Sequence, residues 1–542
     1  MSTTKEFEKN TKALIDDLKS VCANYGLGND GNEFKIITQV FLYKFLNDKF
    51  AYEVKQLDGK LAKSANWEAD IKKMKKGDYE LLMMQLSAGT ARLKTEQFIS
   101  HLFENQNQPR FSELFDSTLS AIAKENTDIF SVITDGGEKI MLFENLSRYV
   151  IDKRDEFCKA IVNKLVHFSF EHIFSEKFDF YATIFEYLIK DYNTNSGGKY
   201  AEYFTPHAVA KIMASCLVTE KVKNAKCYDP SAGSGTLLMN LAHAIGEDRC
   251  TIYSQDISQK SSNLLRLNLI LNNLVHSIPN IVKGNTLLDP YHREKDGKLM
   301  KFDFIVSNPP FKLDFSDFVE DLKTKENHER FFAGMPNVPK AKPEGMAIYP
   351  AFIQHIMYSL NDKGRAAIVV PTGFITAQSG IEKKIRERLV EKKMLRGVIS
   401  MPSNIFATTG TNVSILFLDR ANTKGDIVLM DASKLGETVK DGKNQKTVMR
   451  NDEEDHIINT FNEHKAKEDF SVVVSYEQIA EKNYSFSAGQ YFDVKIEYTD
   501  ITPAEFVSKM KTFQSNLDGM FDESRELEKE IQKQLKSLKY EI

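Results

Sequence analysis

The chain has 542 residues, of which 42% are hydrophobic and 27% charged, and its formal net charge is −4. This length and apolar content are typical of a folded protein with about two to four domains. The slightly acidic balance excludes a strongly basic nucleic-acid-binding chain, so any contact with nucleic acid needs local basic surface or a partner.

The N-terminal stretch and the cysteines indicate where the protein works. No apolar run approaches the roughly 20 residues that span a bilayer, and the first residues are polar, without a signal-peptide core. The five cysteines are scattered and form no C-x-x-C pair, which favours small buried residues over disulfides or a zinc site. We therefore expect a cytoplasmic protein with no membrane contact and no metal.

Residues 1–165 are predicted to form a helical domain. In "EFKIITQVFLYKFLNDKF", Phe34, Ile37, Phe41 and Phe45 recur at helical spacing, and this region lacks the strand-like runs found later.

Residues 166–475 are predicted to form an α/β domain. Short β-rich runs alternate with helical patterns such as "SGTLLMNLAHAIG" and "QKSSNLLRLNLILNN"; the runs are "KCYDP", "TIYSQD", "NIVKG", "FDFIVSN", "GRAAIVVP", "LRGVISMP" and "VSILFLD". Such alternation predicts a doubly wound, mostly parallel sheet, with ligands bound at the carboxyl ends of its strands.

The first strand-end loop, "DPSAGSGTLL", spans residues 229–238. Gly233 and Gly235 allow a tight turn into a helix and a close approach to a nucleotide-like ligand. The loop lacks the Lys-Ser/Thr of a phosphate-binding P-loop, which argues against a motor ATPase. A plain Gly-rich turn without a ligand remains the alternative.

The next predicted strand ends at Asp256, an acidic residue about 20 to 30 positions after the Gly-rich turn. This spacing favours an acceptor for ribose hydroxyls. The alternative is a helix cap together with Ser258.

The following loop, "SNPPF", spans residues 307–311 directly after the apolar run "FDFIV". Two prolines stiffen the loop and leave Asn308 Oδ1 and the Pro309 carbonyl free to accept from an amino group. Phe311 could lie against the face of a flat base. A rigid turn whose Phe packs into the core is the alternative.

Residues 476–542 are predicted to contain amphipathic helix for subunit docking, with Gly519 as a break. Apolar residues recur near heptad spacing: Phe506, Met510, Phe513, Leu517, Met520, Leu527, Ile531 and Leu538.

Together with the upstream "AEYFTPHAVAKIM", the motifs "DPSAGSGTLL" and "NPPF" resemble the modification subunits of type I restriction-modification systems. The resemblance implies the class I methyltransferase fold and transfer of a methyl group from S-adenosylmethionine to adenine N6 in DNA. It also implies as partners double-stranded DNA, a specificity subunit, a second modification subunit and, in complete systems, a restriction subunit.

The resemblance also implies roles for individual residues. Cofactor binding is expected at Glu202, Tyr203, Phe204, Thr205, Pro206, Asp229, Gly233, Ser234, Gly235, Thr236, Asp256 and Asn285. The catalytic loop is expected at Asn308, Pro309, Pro310 and Phe311, with Phe406 as a second base-stacking residue or else a core residue.

Three positions depart from the family pattern. Asp256 stands where relatives often have Glu, and Asn285 where an Asp usually accepts from the cofactor adenine. His207 stands where relatives often have Arg, and we expect it to be a surface residue at a helix start.

The sequence leaves other interpretations of one segment and of the function open. The polar segment 321–345 is either a DNA-contacting insertion or a solvated loop. A glutamine N5 methyltransferase would share the Asn-Pro-Pro-aromatic chemistry. A stand-alone adenine methyltransferase and an inactive scaffold subunit are the further alternatives.

Overall fold

The structure is a computed structural model that describes residues 3–28, 31–174, 187, 205–406, 412–441, 444–492 and 501–537. The chain divides into two compact units, Met1–Tyr491 and Phe492–Ile542. The three predicted domain ranges, 1–165, 166–475 and 476–542, stay predictions.

The N-terminal region is helical, as predicted. Its helices are α1 (Thr3–Asn24), α2 (Gly31–Leu57), α3 (Gly59–Lys63), α4 (Trp67–Lys72), α5 (Lys76–Gln85), α6 (Ile99–Asn105), α7 (Phe111–Glu125), α8 (Thr127–Phe130) and α9 (Arg154–Val166). Helix α2 is buried on all sides rather than along one stripe, because Val40 and Tyr43 are as fully buried as Phe41. It therefore forms the centre of this part of the core.

Two short strands also lie in this region, and the sequence pattern did not indicate them. Strands β1 (Val132–Thr134) and β2 (Lys139–Ile140) pair antiparallel, and β1 also pairs in parallel with β5 (Ile281–Lys283). Runs of three and two residues are too short to show a strand periodicity, and their conformation depends on pairing with β5.

A mixed, mostly parallel sheet of 11 strands forms the middle of the first unit. Its further strands are β3 (Ala225–Asp229), β4 (Cys250–Asp256), β6 (Phe302–Ser307), β7 (Leu360–Pro371), β8 (Leu395–Ser400), β9 (Val413–Asp419), β10 (Ile427–Asp431) and β13 (Ser471–Val474). The order is β13-β10-β8-β9-β7-β6-β3-β4-β5-β1-β2. All seven predicted strands are confirmed, and β9 is the antiparallel member between β7 and β8.

The helices that accompany the sheet are α10 (His207–Leu217), α11 (Thr236–Ile245), α12 (Gln259–Leu271), α13 (Val319–Leu322), α14 (Tyr349–Ser359), α15 (Gly373–Thr376), α16 (Gly380–Glu391), α17 (Asn451–Asn462) and α18 (Tyr476–Glu481). A separate hairpin consists of β11 (Glu437–Asp441) and β12 (Asn444–Val448). Every residue of β9 is buried, as expected for a sheet covered on both faces.

The second unit contains one long helix, α19 (Pro503–Ser537). It begins with a capping arrangement in which Thr502 and Glu505 bond each other's backbone N–H groups. The predicted break at Gly519 is wrong, because a glycine costs only about 1 kcal/mol relative to alanine within a helix. The apolar side chains from Phe506 to Ile531 are about half exposed or more, and Leu538 lies outside the described residues.

All five cysteines are buried and unpaired, as predicted. None of the helices in the described parts of the chain combines the length and apolar content that crossing a bilayer requires.

Candidate active site

The carboxyl ends of four neighbouring parallel strands lie at one edge of the sheet. In spatial order, β6, β3, β4 and β5 end at Ser307, Asp229, Asp256 and Lys283. The loops that follow these residues include the Gly-rich loop and the Asn-Pro-Pro-Phe loop. The topology therefore brings the two predicted ligand loops side by side.

The two glycines of the Gly-rich loop have different roles. Both have positive φ, +52° at Gly233 and +85° at Gly235, a conformation that other residues adopt only with strain. A Cβ at position 235 would overlap Leu265 Cδ1 on α12. Gly235 thus allows close packing of the loop on a helix, and Gly233 allows the turn at the edge of the sheet.

Ser234 and Thr236 lie inside the protein. Their hydroxyl groups are 3.0 Å apart, and both residues are buried. The Ser234 carbonyl accepts from Asn268 Nδ2 on α12 at 2.7 Å. The side chains of both residues therefore stabilise the loop from its buried side.

Asp256 connects the Gly-rich loop to the next helix. Its Oδ2 accepts from the Gly233 N–H at 3.0 Å, and its Oδ1 accepts from the Ser258 N–H at 2.8 Å. Burial raises the pKa of the carboxyl group, and these N–H groups partly offset that effect. The helix cap is Ser258 and not Asp256, because Ser258 Oγ accepts from the Ser261 N–H at 3.3 Å. The Asp256 carboxylate holds the cap residue and retains lone pairs for a further donor.

Asp229 is buried at the end of β3 and accepts from the Ser231 N–H at 2.9 Å. Burial and, to a smaller extent, the nearby charge of Asp256 raise the pKa of Asp229 to about 8. The hydroxyl groups of Ser231 and Ser307 are 2.8 Å apart, so a hydrogen bond joins the Gly-rich loop directly to the strand before Asn308.

The loop after β5 is fixed by two polar residues. Asn285 Oδ1 accepts from the N–H groups of Leu287 and Leu288, at 3.1 and 3.2 Å. The Thr286 hydroxyl donates to the Pro230 carbonyl at 2.7 Å. The oxygen of Asn285, predicted to face the cofactor adenine, is thus engaged in its own turn.

Asn308 is anchored through its amide nitrogen. Nδ2 donates to Thr205 Oγ1 at 3.2 Å, and Thr205 is buried. Within the described residues, Asn308 Oδ1 makes no hydrogen bond, so this oxygen remains an acceptor. Pro309 is buried and Pro310 is exposed. The loop therefore packs on the protein through its first proline.

Phe311 is half-buried beside a second aromatic residue. Its ring centroid lies 6.1 Å from that of Tyr349, at an angle of 75°. The Tyr349 hydroxyl donates to Glu382 at 3.2 Å. One edge of Phe311 is therefore supported, as a stacking platform requires.

Phe406 is also half-buried, and two hydrogen bonds hold the residues just before it. Thr447 on β12 donates its backbone N–H to the Asn404 carbonyl at 3.0 Å and its hydroxyl to the Ser403 carbonyl at 2.6 Å. The hairpin β11–β12 thus holds the segment that carries Phe406.

The remaining predictions have mixed outcomes. Glu202, Tyr203 and Phe204 lie outside the described residues. His207 begins α10 as expected, but it is half-buried rather than on the surface. The segment after Phe311 is not a simple solvated loop. Apolar side chains of this segment belong to a buried cluster that also includes Leu287 and, on α14, Phe352; they are Phe315, Val319, Leu322, Phe331, Met335 and Met346.

The polar contacts that join the loops were not predicted from the sequence. Ser231 and Ser307 lie within the two quoted motifs and Thr286 follows Asn285, but no role was predicted for any of the three. Tyr349 lies 38 positions after Phe311 and had no local signal. Adjacency to the motifs would have found the first three residues.

Comparisons with known proteins identify the family. The family model described as N-6 DNA Methylase matches residues 176–500. The methylase subunit of the type I restriction enzyme MpnII from Mycoplasma pneumoniae is 28% identical over 401 residues, covering 72% of this chain and 69% of the relative. The HindI methylase subunit of Haemophilus influenzae is 25% identical over 443 residues, covering 78% and 94%.

A solved structure supports the fold. The methyltransferase subunit of a type I restriction-modification system from Streptococcus thermophilus superposes with a TM-score of 0.66 and 23% identity, covering 90% of this chain and 100% of that one. The family match covers more than half of the chain and includes both ligand loops. The chain therefore belongs to the N-6 DNA methylase family, the DNA methyltransferases that modify the N6 amino group of adenine.

Proposed function

We propose that the protein transfers a methyl group from S-adenosylmethionine to adenine N6 in double-stranded DNA, as the modification subunit of a type I restriction-modification complex. The observation that carries this proposal is the placement of Asn308 beside the Gly-rich loop: its Nδ2 donates to Thr205, and its Oδ1 makes no hydrogen bond to any residue that the structure describes. The relatives named as type I methylase subunits support the complex as its setting.

The Gly-rich edge fits the proposed cofactor. Gly233 keeps the loop turned with its positive φ. Asp256 presents a carboxylate at the end of the next strand, where it would accept hydrogen bonds from the ribose hydroxyl groups. When bound, S-adenosylmethionine supplies an electrophilic methyl group on its sulfonium. Thr205, Pro206 and Asp229 would line the methionine end of the same pocket.

The Asn308 loop would hold the target amine. The lone pair of an exocyclic amine is delocalised into the base, so the amine is a poor nucleophile. Asn308 Oδ1 and the Pro309 carbonyl would accept from its two N–H bonds and favour a tetrahedral nitrogen. Positioning of this kind contributes rate without a strong base, and the extra proton of the amine can leave afterwards.

The adenine would have to leave the duplex to reach this loop, which costs a few kcal/mol of unstacking. The base would lie between the rings of Phe311 and Phe406. Such stacking contributes about 1–3 kcal/mol for each base. The proposed partners are a specificity subunit that reads the target, a second modification subunit and, in complete systems, a restriction subunit.

Calorimetric titration of the whole chain with S-adenosylmethionine tests the cofactor assignment. Gly233→Val should weaken binding about tenfold or more, because a branched side chain strains the loop and fills space next to the ligand. Gly297→Val is the matched control, since Gly297 also has positive φ and open space around it. Unchanged affinity in a folded Gly233→Val protein would refute the assignment.

A further inference from the structure

The β1–β2 hairpin brings the N-terminal region to the ligand edge of the sheet. Thr134 on β1 pairs with Lys283 on β5, and Lys283 pairs with Asp256 on β4. The ladder continues for one more step, because the Asp135 N–H donates to the Lys283 carbonyl at 2.9 Å and the Gly284 N–H donates to the Asp256 carbonyl at 2.9 Å. Asp135 therefore stands at the same edge as Asp256.

Arg266 fixes the hairpin in this place. Its buried guanidinium donates to the carbonyl groups of Phe130, Ile140 and Met141, at 3.3, 3.0 and 3.0 Å. Phe130 precedes the hairpin, Ile140 ends its second strand and Met141 follows it. Arg266 belongs to α12, the helix that follows Asp256. Arg266 thus attaches the hairpin to the helix that follows Asp256.

The Asp135 carboxylate occupies the space that a side chain at position 284 would take. A Cβ on Gly284 would lie 2.5 Å from Asp135 Oδ2 and 2.7 Å from Asp135 Cβ. Asp135 Oδ1 accepts from the Gly136 N–H at 3.0 Å. Its Oδ2 makes no hydrogen bond to any residue that the structure describes, and it lies directly beside the start of the Asn285 loop.

Asn285 cannot supply the acceptor that its position suggests. Its side-chain oxygen already accepts two backbone N–H groups, from Leu287 and Leu288, which uses both of its lone pairs. Its remaining polar group is an NH₂, which donates and would face the amine of an adenine unfavourably. A carboxylate from another element is the better partner for such an amine.

We infer that Asp135, contributed by the N-terminal region, accepts a hydrogen bond from the exocyclic amine of the cofactor adenine. The inference rests on the proposed use of S-adenosylmethionine. It gives the N-terminal hairpin a part in the cofactor site: Asp256 faces the ribose and Asp135 Oδ2 selects a 6-amino purine over a 6-oxo purine.

Calorimetry with two demethylated ligands tests the inference on the whole chain. S-adenosylhomocysteine carries the amine, and S-inosylhomocysteine carries a 6-oxo group in its place. The wild type should bind the first at least about tenfold more tightly, as expected for a hydrogen bond to a charged group. Asp135→Asn should remove most of this preference, because its NH₂ can donate to the 6-oxo group.

Two further variants complete the experiment. Gly284→Ala should also reduce the preference, because its Cβ displaces the Asp135 carboxylate. Asp128→Asn should leave the preference unchanged, because Asp128 is an exposed acid paired with Lys139 next to the hairpin.

The outcomes separate the two proposals. A wild type that binds S-adenosylhomocysteine but shows the same preference as Asp135→Asn overturns the role of Asp135 and leaves the proposed function intact. A wild type that binds neither ligand overturns the cofactor assignment, and the role of Asp135 with it.

Discussion

Single residues at the candidate active site are held by side chains from distant parts of the chain. Thr205 anchors Asn308 from 103 positions away, and Asp256 anchors Gly233 from 23 positions away. The motif residues themselves could be predicted because their spacing is local. Thr205 and Asp256 were predicted too, but as cofactor contacts. Their hydrogen bonds to Asn308 and Gly233 could not be predicted, because a bond between two loops depends on how the strands are ordered in the sheet.

The role of Phe311 leads to a prediction about shape. Phe311→Ala should slow methyl transfer to duplex DNA about tenfold or more, since stacking on a base is worth about 1–3 kcal/mol. Phe311→Tyr should retain most of the rate, because a flat ring is all that the contact needs. Single-turnover assays of the assembled complex would show this, and equal rates for the Ala and Tyr variants would mean that Phe311 does not touch the base.

Asp229 leads to a prediction about pH. Its pKa of about 8 in the folded protein exceeds the value near 3.9 of an exposed aspartate, so the folded state holds more protons than the unfolded state between these values. The free energy of unfolding of the cofactor-free protein should therefore fall as pH rises from about 4 to about 8. Asp229→Asn cannot titrate and should be free of this loss.

Urea unfolding at pH 5 and pH 8.5 measures the effect. The stability of Asp229→Asn relative to the wild type should increase from the lower to the higher pH. Parallel pH profiles for the two proteins would show that Asp229 is ionised in the folded state.

At the scale of elements, the hairpin β11–β12 acts on the segment that carries Phe406. Thr447→Val removes the hydroxyl group that binds the Ser403 carbonyl and keeps the shape of the side chain. We expect methyl transfer to fall several-fold, as for the loss of one buried hydrogen bond, while the affinity for S-adenosylmethionine is unchanged.

Two variants distinguish positioning from general damage. Thr447→Ser should restore the rate, and Thr438→Val, on the opposite strand of the hairpin, should have no effect. A Thr447→Ser variant as slow as Thr447→Val would show that the hydrogen bond to the Ser403 carbonyl does not position Phe406.

Elements were predictable where the pattern was long or strongly apolar. The strands from β3 to β9 follow runs such as "FDFIVS" and "VSILFLD", which suit a sheet covered on both faces. Strands β1 and β2 are too short to carry such a pattern. The helix α19 continues through Gly519 because 34 other residues support it.

At the scale of the whole molecule, the second unit leads to a prediction about assembly. Helix α19 carries a row of half-exposed apolar side chains with mixed charges around it, which is typical of helix-helix docking. Removing residues 503–542 should leave a folded protein that binds S-adenosylmethionine but no longer co-purifies with a specificity subunit. If the helix instead covers its own domain, the truncation should lower the thermal stability of the isolated subunit.

The most direct test of the central claim is adenine methylation in cells. The protein would be expressed together with the proposed specificity subunit in a host without adenine methylation, and N6-methyladenine would be mapped by long-read sequencing. The wild type should methylate adenine at one sequence motif, whereas Asn308→Ala should leave that motif unmodified while binding S-adenosylmethionine within about twofold of the wild type. Methylation by Asn308→Ala at the wild-type level, or an assembled wild type that binds the cofactor and leaves adenine unmodified, would contradict the account.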